Sequence, residues 1–166
     1  MNTIIFPGFS QKNKIWADEM AIGLTATVIN WTHWQTGNAG TDWIDEEIQR
    51  AIVLIGNSQI NILAKSIGTA VAMGVIKHNP NLVNNVILCG IPTNDFNPGD
   101  EAYYEPLKSF PVDKVLCIQN ENDNHGSFDK AQIFLQGLNP SIKVLSKHRS
   151  DHEYPYLQDF INFFSI

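Results

Sequence analysis

The chain has 166 residues, 43% of them hydrophobic and 17% charged, with a formal net charge of −6. That length fits one domain with a sizeable core, and the composition excludes a disordered chain. The acidic balance, with no basic run, argues against a nucleic-acid partner, and no apolar stretch is long enough to span a bilayer.

Residues 3–6 read as a short buried strand, stopped by Pro7-Gly8. Proline and glycine come too early for a signal-peptide core, so the default expectation is a cytoplasmic protein with no membrane contact. Ile15, Trp16, Met20 and Leu24 then recur at helical spacing. Residues 27–31 form the second predicted strand. A loop with Gly37 and Gly40 leads to Thr41-Asp42, a helix start, and Ile44, Ile48, Ala51, Ile52 and Ile55 mark one face of that helix. The third strand is 60–64. The helix after Ser66 is apolar nearly all round, as a central buried helix would be, and ends at Asn79-Pro80.

Residues 86–89 form the fourth strand. Residues 91–111, with Pro92, Pro98, Pro106 and Pro111, read as a short irregular insertion over one edge of the fold. The fifth strand is 114–118, and Ala131, Phe134, Leu135 and Leu138 mark the next helix. The sixth strand is 142–145. A last helix carries Tyr154, Leu157, Phe160, Ile161 and Phe164, with Pro155 in its first turn. No repeat, low-complexity run or linker divides the chain, so residues 1–166 read as a single domain.

Strands alternating with helices imply parallel βαβ units, with helices on both faces of one sheet. Ligands in such folds bind at the carboxyl ends of the strands. The loops there hold a glycine turn (Pro7-Gly8-Phe9-Ser10), a serine (Ser66), acids (Glu121, Asp123) and histidines (His148, His152). Ser66 lies between a strand and a helix, with Ala64 two residues before it and Gly68 two after. This is the A-x-S-x-G form of a nucleophile elbow, whose strained turn demands small neighbours. Cys89 and Cys117 sit inside apolar runs and read as buried thiols, neither a disulfide framework nor a zinc site. No G-x-G-x-x-G or G-x-x-x-x-G-K-[ST] is present, which counts against a flavodoxin-like nucleotide or phosphate binder.

Taken together, these motifs resemble the small α/β-hydrolases, the compact serine hydrolases without a large cap domain. The resemblance runs from Thr3 to Phe164. It implies an α/β, three-layer sandwich of about six mostly parallel strands, with strand one between strands two and three. The leading antiparallel strands of longer members are missing, and 91–111 occupies the cap position. It also implies a Ser-His-Asp triad. Ser66 is the nucleophile, and His152 the base, because Asp-His-Glu-Tyr just before a helix is where the family carries its histidine. Asp123 is the acid that orients it. His148, Glu121 and Asp95 are the alternatives. The oxyanion hole would use the N–H groups of Ile67 and Phe9, with Ser10 as neighbouring option.

Trp31, His33 and Trp34 would wall the site, and Tyr103 and Tyr104 would cover an acyl chain; surface packing of loop aromatics is the competing reading. Lys65 reads as a solvated side chain, His78 and His125 as exposed polar residues, and Asp151 as a surface charge or cap. The expected activity is hydrolysis of a small-molecule carboxylic ester or thioester through an acyl-enzyme, with no cofactor and no metal. The alternative is a non-catalytic binding or regulatory protein on the same fold.

Overall fold

The computed structural model describes residues 2–165. In chain order the elements are β1 (Asn2–Phe6), α1 (Asn13–Leu24), β2 (Ala26–Val28), α2 (His33–Thr36), α3 (Trp43–Ile55), β3 (Ile60–Lys65) and α4 (Gly68–His78). β4 (Val83–Cys89), β5 (Val115–Asn120), α5 (Phe128–Leu138), β6 (Val144–Lys147) and α6 (Leu157–Phe164) follow. The strands form one six-stranded sheet in the order β2-β1-β3-β4-β5-β6, and every neighbouring pair is parallel. β1 therefore lies between β2 and β3, as expected.

Both faces of the sheet are covered, which is why its inner strands read as continuous apolar runs. Side chains alternate across β3: Ile60, Ile62 and Ala64 join a core with Ile48, Ala51 and Ile55 of α3 and the buried face of α4. Leu63 points the other way, into a core with Trp16, Ala17 and Met20 of α1 and Phe160 of α6. α4 is buried from Gly68 to Ile76. Among the described residues no helix is long and apolar enough to cross a membrane.

Several boundaries differ from the sequence-based ones. β2 stops at Val28 instead of running to Trp31, because side chains of α3 take over the backbone partners. Arg50 donates to the Asn30 carbonyl at 2.7 Å, and Glu47 accepts from Thr32 N at 2.6 Å. The last helix begins at Leu157, so Tyr154 and Pro155 precede it. The residue before a proline avoids helical geometry, and the Tyr154 carbonyl is tied to Trp16 Nε1 of α1 at 2.8 Å. β6 starts two residues later than expected, because Ile142 N closes a turn onto the Asn139 carbonyl at 3.1 Å. Ile15, placed on the buried face of the first helix, is 71% exposed; Trp16, Ala17 and Met20 form that face. Within 91–111 a 3-10 helix spans Asp100–Lys108.

Candidate active site

Ser66 joins β3 to α4 at φ +57°, one of two non-glycine residues with positive φ among those described. That conformation costs energy for any residue with a Cβ and persists only where neighbours enforce it. Ser66 N donates to the Cys89 carbonyl at 2.9 Å. The Ser66 carbonyl accepts from Thr69 N at 2.9 Å and from Thr69 Oγ1 at 2.6 Å. Small flanking residues are required by space as well as strain. Ala64 is fully buried, and a Cβ on Gly68 would lie 2.4 Å from the Phe6 carbonyl oxygen and 2.5 Å from that of Pro7.

Asp123 follows β5, with its side chain sealed from solvent. Its Oδ2 accepts from His152 Nδ1 at 2.7 Å and from Tyr154 Oη at 2.6 Å; Oδ1 accepts from His125 N at 2.8 Å. Burial alone pushes a carboxyl pKa up, but the donors from His152, Tyr154 and His125 outweigh it and hold Asp123 below its ordinary value. Since a carboxylate only accepts, His152 carries its proton on Nδ1, and in the neutral ring Nε2 presents a lone pair. That Nε2 is buried and unpartnered among the described residues. No hydrogen bond joins it to Ser66.

The histidine loop is clamped from β5. Asn120 Nδ2 donates to the carbonyls of Asp151 and Glu153, both at 2.8 Å, on either side of His152. Gly90, at φ +63°, makes room for it: a Cβ there would meet Tyr154 Cε2 at 2.5 Å and His152 Cε1 at 3.0 Å.

Ser66 and His152 share a cleft of about 550 Å³. Its apolar wall is Phe9, Trp43, Ile44, Ile67, Phe96 and Tyr103; Asp95 and Asp100 add carboxylates, and no Lys or Arg lines it among the described residues. Phe9 and Ile67 line the same cleft as the serine, and neither N–H donates to another described group.

The expected aromatic wall is different in part. Tyr103 lines the cleft. Trp31 and Tyr104 are fully buried and do not reach it. The Tyr104 hydroxyl pairs with Thr69 Oγ1 at 2.6 Å beneath α4, and Trp31 Nε1 donates to the Gly8 carbonyl at 3.0 Å. His33 Nε2 and Trp34 Nε1 lie 2.8 and 2.7 Å from the Phe9 carbonyl, behind the loop rather than along the cleft. Position in the loop after β2 places these aromatics near the rim but does not reveal which side of the loop they take.

Lys65 is not solvated: it is 1% exposed. The alternation of β3 turns it under α1, where Nζ meets Asn13 Oδ1 at 3.0 Å, Glu153 Oε2 at 3.2 Å and the Trp16 ring. His125 lines the cleft, pairs with Asp95 at 2.5 Å and packs on His152 with centroids 4.3 Å apart. Its side chain is 41% exposed, as expected; its place in the cleft leaves no signal in the sequence, because a loop histidine beside Gly126 carries no periodicity. Tyr154, expected on a helix face, precedes the helix and is a partner of Asp123 instead. His148 pairs with Glu121 at 2.7 Å, away from Asp123. Both cysteines are buried and free; burial pushes the Cys117 thiol up to about 12 and the Cys89 thiol well above its ordinary value. Among the described residues no cluster of three or more His, Cys, Asp or Glu could hold a metal ion.

No protein-family model matches the chain, and no curated sequence matches it significantly. Solved structures do match. Naproxen esterase, a carboxylesterase from Bacillus subtilis, is similar at TM-score 0.70 and 11% identity, over 98% of this chain and 83% of that one. A serine hydrolase involved in carbazole degradation is similar at TM-score 0.69 and 14% identity, over 99% and 91%. Alpha/beta hydrolase domain-containing protein 10 from mouse is similar at TM-score 0.68 and 11% identity, over 99% and 88%. The protein has the α/β-hydrolase fold.

Proposed function

We propose that the protein is a serine hydrolase that cleaves small-molecule carboxylic esters or thioesters through an acyl-enzyme. The observation that carries this reading is the left-handed Ser66 in the same cleft as His152, whose other nitrogen is held by the buried Asp123. His152 Nε2 takes the hydroxyl proton as Ser66 Oγ attacks the acyl carbon. Asp123 fixes the tautomer and stabilises the imidazolium. The N–H groups of Phe9 and Ile67 receive the oxyanion. Collapse of the tetrahedral intermediate expels the alcohol or thiol, which takes the proton from His152. Water, deprotonated by the same histidine, then releases the acid. Each of these steps uses this chain's own groups, with no cofactor or metal.

The apolar wall suits an uncharged acyl group, and the carboxylates of Asp95 and Asp100 disfavour an anionic one. The esterase and hydrolase names of the structural neighbours agree with this chemistry. A binding protein on the same fold is the second reading, favoured by the missing Ser66–His152 hydrogen bond; such bonds are often long before substrate binds.

The deciding experiment is intact-mass analysis after exposure to a fluorophosphonate. A single adduct, lost in Ser66→Ala, is expected. Folded wild-type protein that takes no adduct overturns the hydrolase reading in favour of the binding one.

A further inference from the structure

The loop after β1 is held in an unusual way. Among the described residues, two successive carbonyls, of Gly8 and Phe9, accept hydrogen bonds only from aromatic side chains of the segment after β2. Trp31 Nε1 donates to Gly8 O at 3.0 Å. Trp34 Nε1 and His33 Nε2 converge on Phe9 O at 2.7 and 2.8 Å. A carbonyl cannot donate, so His33 carries its proton on Nε2. This leaves its Nδ1 buried with no described partner, a cost that a merely decorative histidine need not bear. The segment itself is anchored from α3, where the buried Glu47 accepts from Thr32 N and pairs with Arg50.

The consequence follows from peptide geometry. A trans peptide unit is planar, and its C=O and N–H point in opposite directions. Holding Gly8 O on the buried Trp31 therefore sends Phe9 N–H away from that indole. Holding Phe9 O on Trp34 and His33 sends Ser10 N–H away from them. Without those donors the 8–9 peptide could rotate easily, because Gly8 has no side chain to restrict it. A rotated peptide would present a carbonyl where an oxyanion forms, replacing attraction by repulsion.

We propose that Trp31, His33 and Trp34 are positioning residues that fix the peptide planes of Gly8–Phe9 and Phe9–Ser10, so that Phe9 N–H faces the oxyanion formed at Ser66. The proposal rests on the serine-hydrolase reading. It turns the aromatics after β2 from a substrate wall into the frame of the oxyanion hole.

The test uses Trp31→Phe, which removes the donor to Gly8, and the pair His33→Leu with Trp34→Phe, which removes both donors to Phe9. His33→Gln in the Trp34→Phe background restores an N–H donor. Ester turnover, KM and the Ki of a trifluoromethyl ketone, whose serine adduct carries an oxyanion, are measured on each. Expected is a fall in kcat of roughly 10- to 100-fold, a parallel rise in the ketone's Ki, and KM within about twofold of wild type; the glutamine recovers most of the loss. If Trp31→Phe does not fold, the half-buried His33 and Trp34 variants decide. Folded variants with unchanged kcat, losses confined to KM, or no recovery with glutamine overturn the proposal while leaving the hydrolase reading intact. A wild type that neither turns over esters nor takes a fluorophosphonate overturns both.

Discussion

Tyr154 donates its phenol proton to Asp123 Oδ2 at 2.6 Å, the same oxygen that His152 Nδ1 reaches at 2.7 Å. One carboxylate oxygen thus serves two donors, and the tyrosine is fully buried. Tyr154 helps to hold the pKa of Asp123 down. Because the folded pKa lies below the unfolded one, Asp123 stabilises the fold above the unfolded pKa, and that contribution is lost as pH falls through the folded value. Tyr154→Phe is expected to raise the folded pKa toward normal and shrink the contribution. Acid unfolding should then move to higher pH. Circular dichroism from pH 6 downward checks this; an unmoved acid midpoint would show that the phenol does not hold the carboxylate.

The second expectation separates the two acids beside the histidines. Asp123 reaches His152, whereas Asp95 reaches His125 at 2.5 Å. Loss of a triad carboxylate costs about 10⁴ in kcat, because the imidazole adopts the wrong tautomer. Asp123→Asn should therefore abolish measurable ester turnover, and Asp95→Asn should stay within roughly tenfold of wild type. The reverse ranking would place the working acid after β4.

Ser66 provides a test of strain that needs no substrate. At an ordinary site alanine is more stable than glycine by roughly 0.5–1 kcal/mol, because glycine has more freedom to lose. At φ +57° the order should invert, with Ser66→Gly more stable than Ser66→Ala by about 1 kcal/mol. Urea denaturation of the two variants measures the difference. The usual order would mean that the elbow relaxes without cost.

Much of this site was legible because its parts obey local rules. The strand-serine-helix turn needs Ala64 and Gly68, and Gly68 is forced by the Phe6 and Pro7 carbonyls 2.4 and 2.5 Å from its would-be Cβ. The parallel sheet follows from strands alternating with helices, whereas the place of strand one between strands two and three was carried only by the resemblance to the small α/β-hydrolases. What stayed hidden were side-chain directions. Whether Trp31 and Trp34 face the cleft or the back of the loop depends on where β2 ends, and Arg50 and Glu47 of α3 set that. The polar pair Gln119-Asn120 ends a buried strand with Asn120 at 0% exposure. That burial cost was the available hint that β5 grips the histidine loop.

Lys65 tests how a buried cation beside the elbow is tolerated. Its Nζ meets Asn13 and Glu153, but the Glu153 side chain is 61% exposed and Asn13 is half-buried. Both partners can turn to water if the lysine goes. Replacing a buried charge by an apolar chain of similar length is often neutral, because the desolvation cost disappears with the ion pair. Lys65→Met should change stability by less than about 1 kcal/mol. Lys65→Ala removes the stem that packs under Trp16 and leaves a void, so it should cost about 2 kcal/mol or more. Comparing the two by thermal and urea unfolding isolates packing from charge. If methionine were as damaging as alanine, the ion pair itself would be what ties the elbow to the His152 loop. Fluorophosphonate labelling of Ser66 should then slow in both variants.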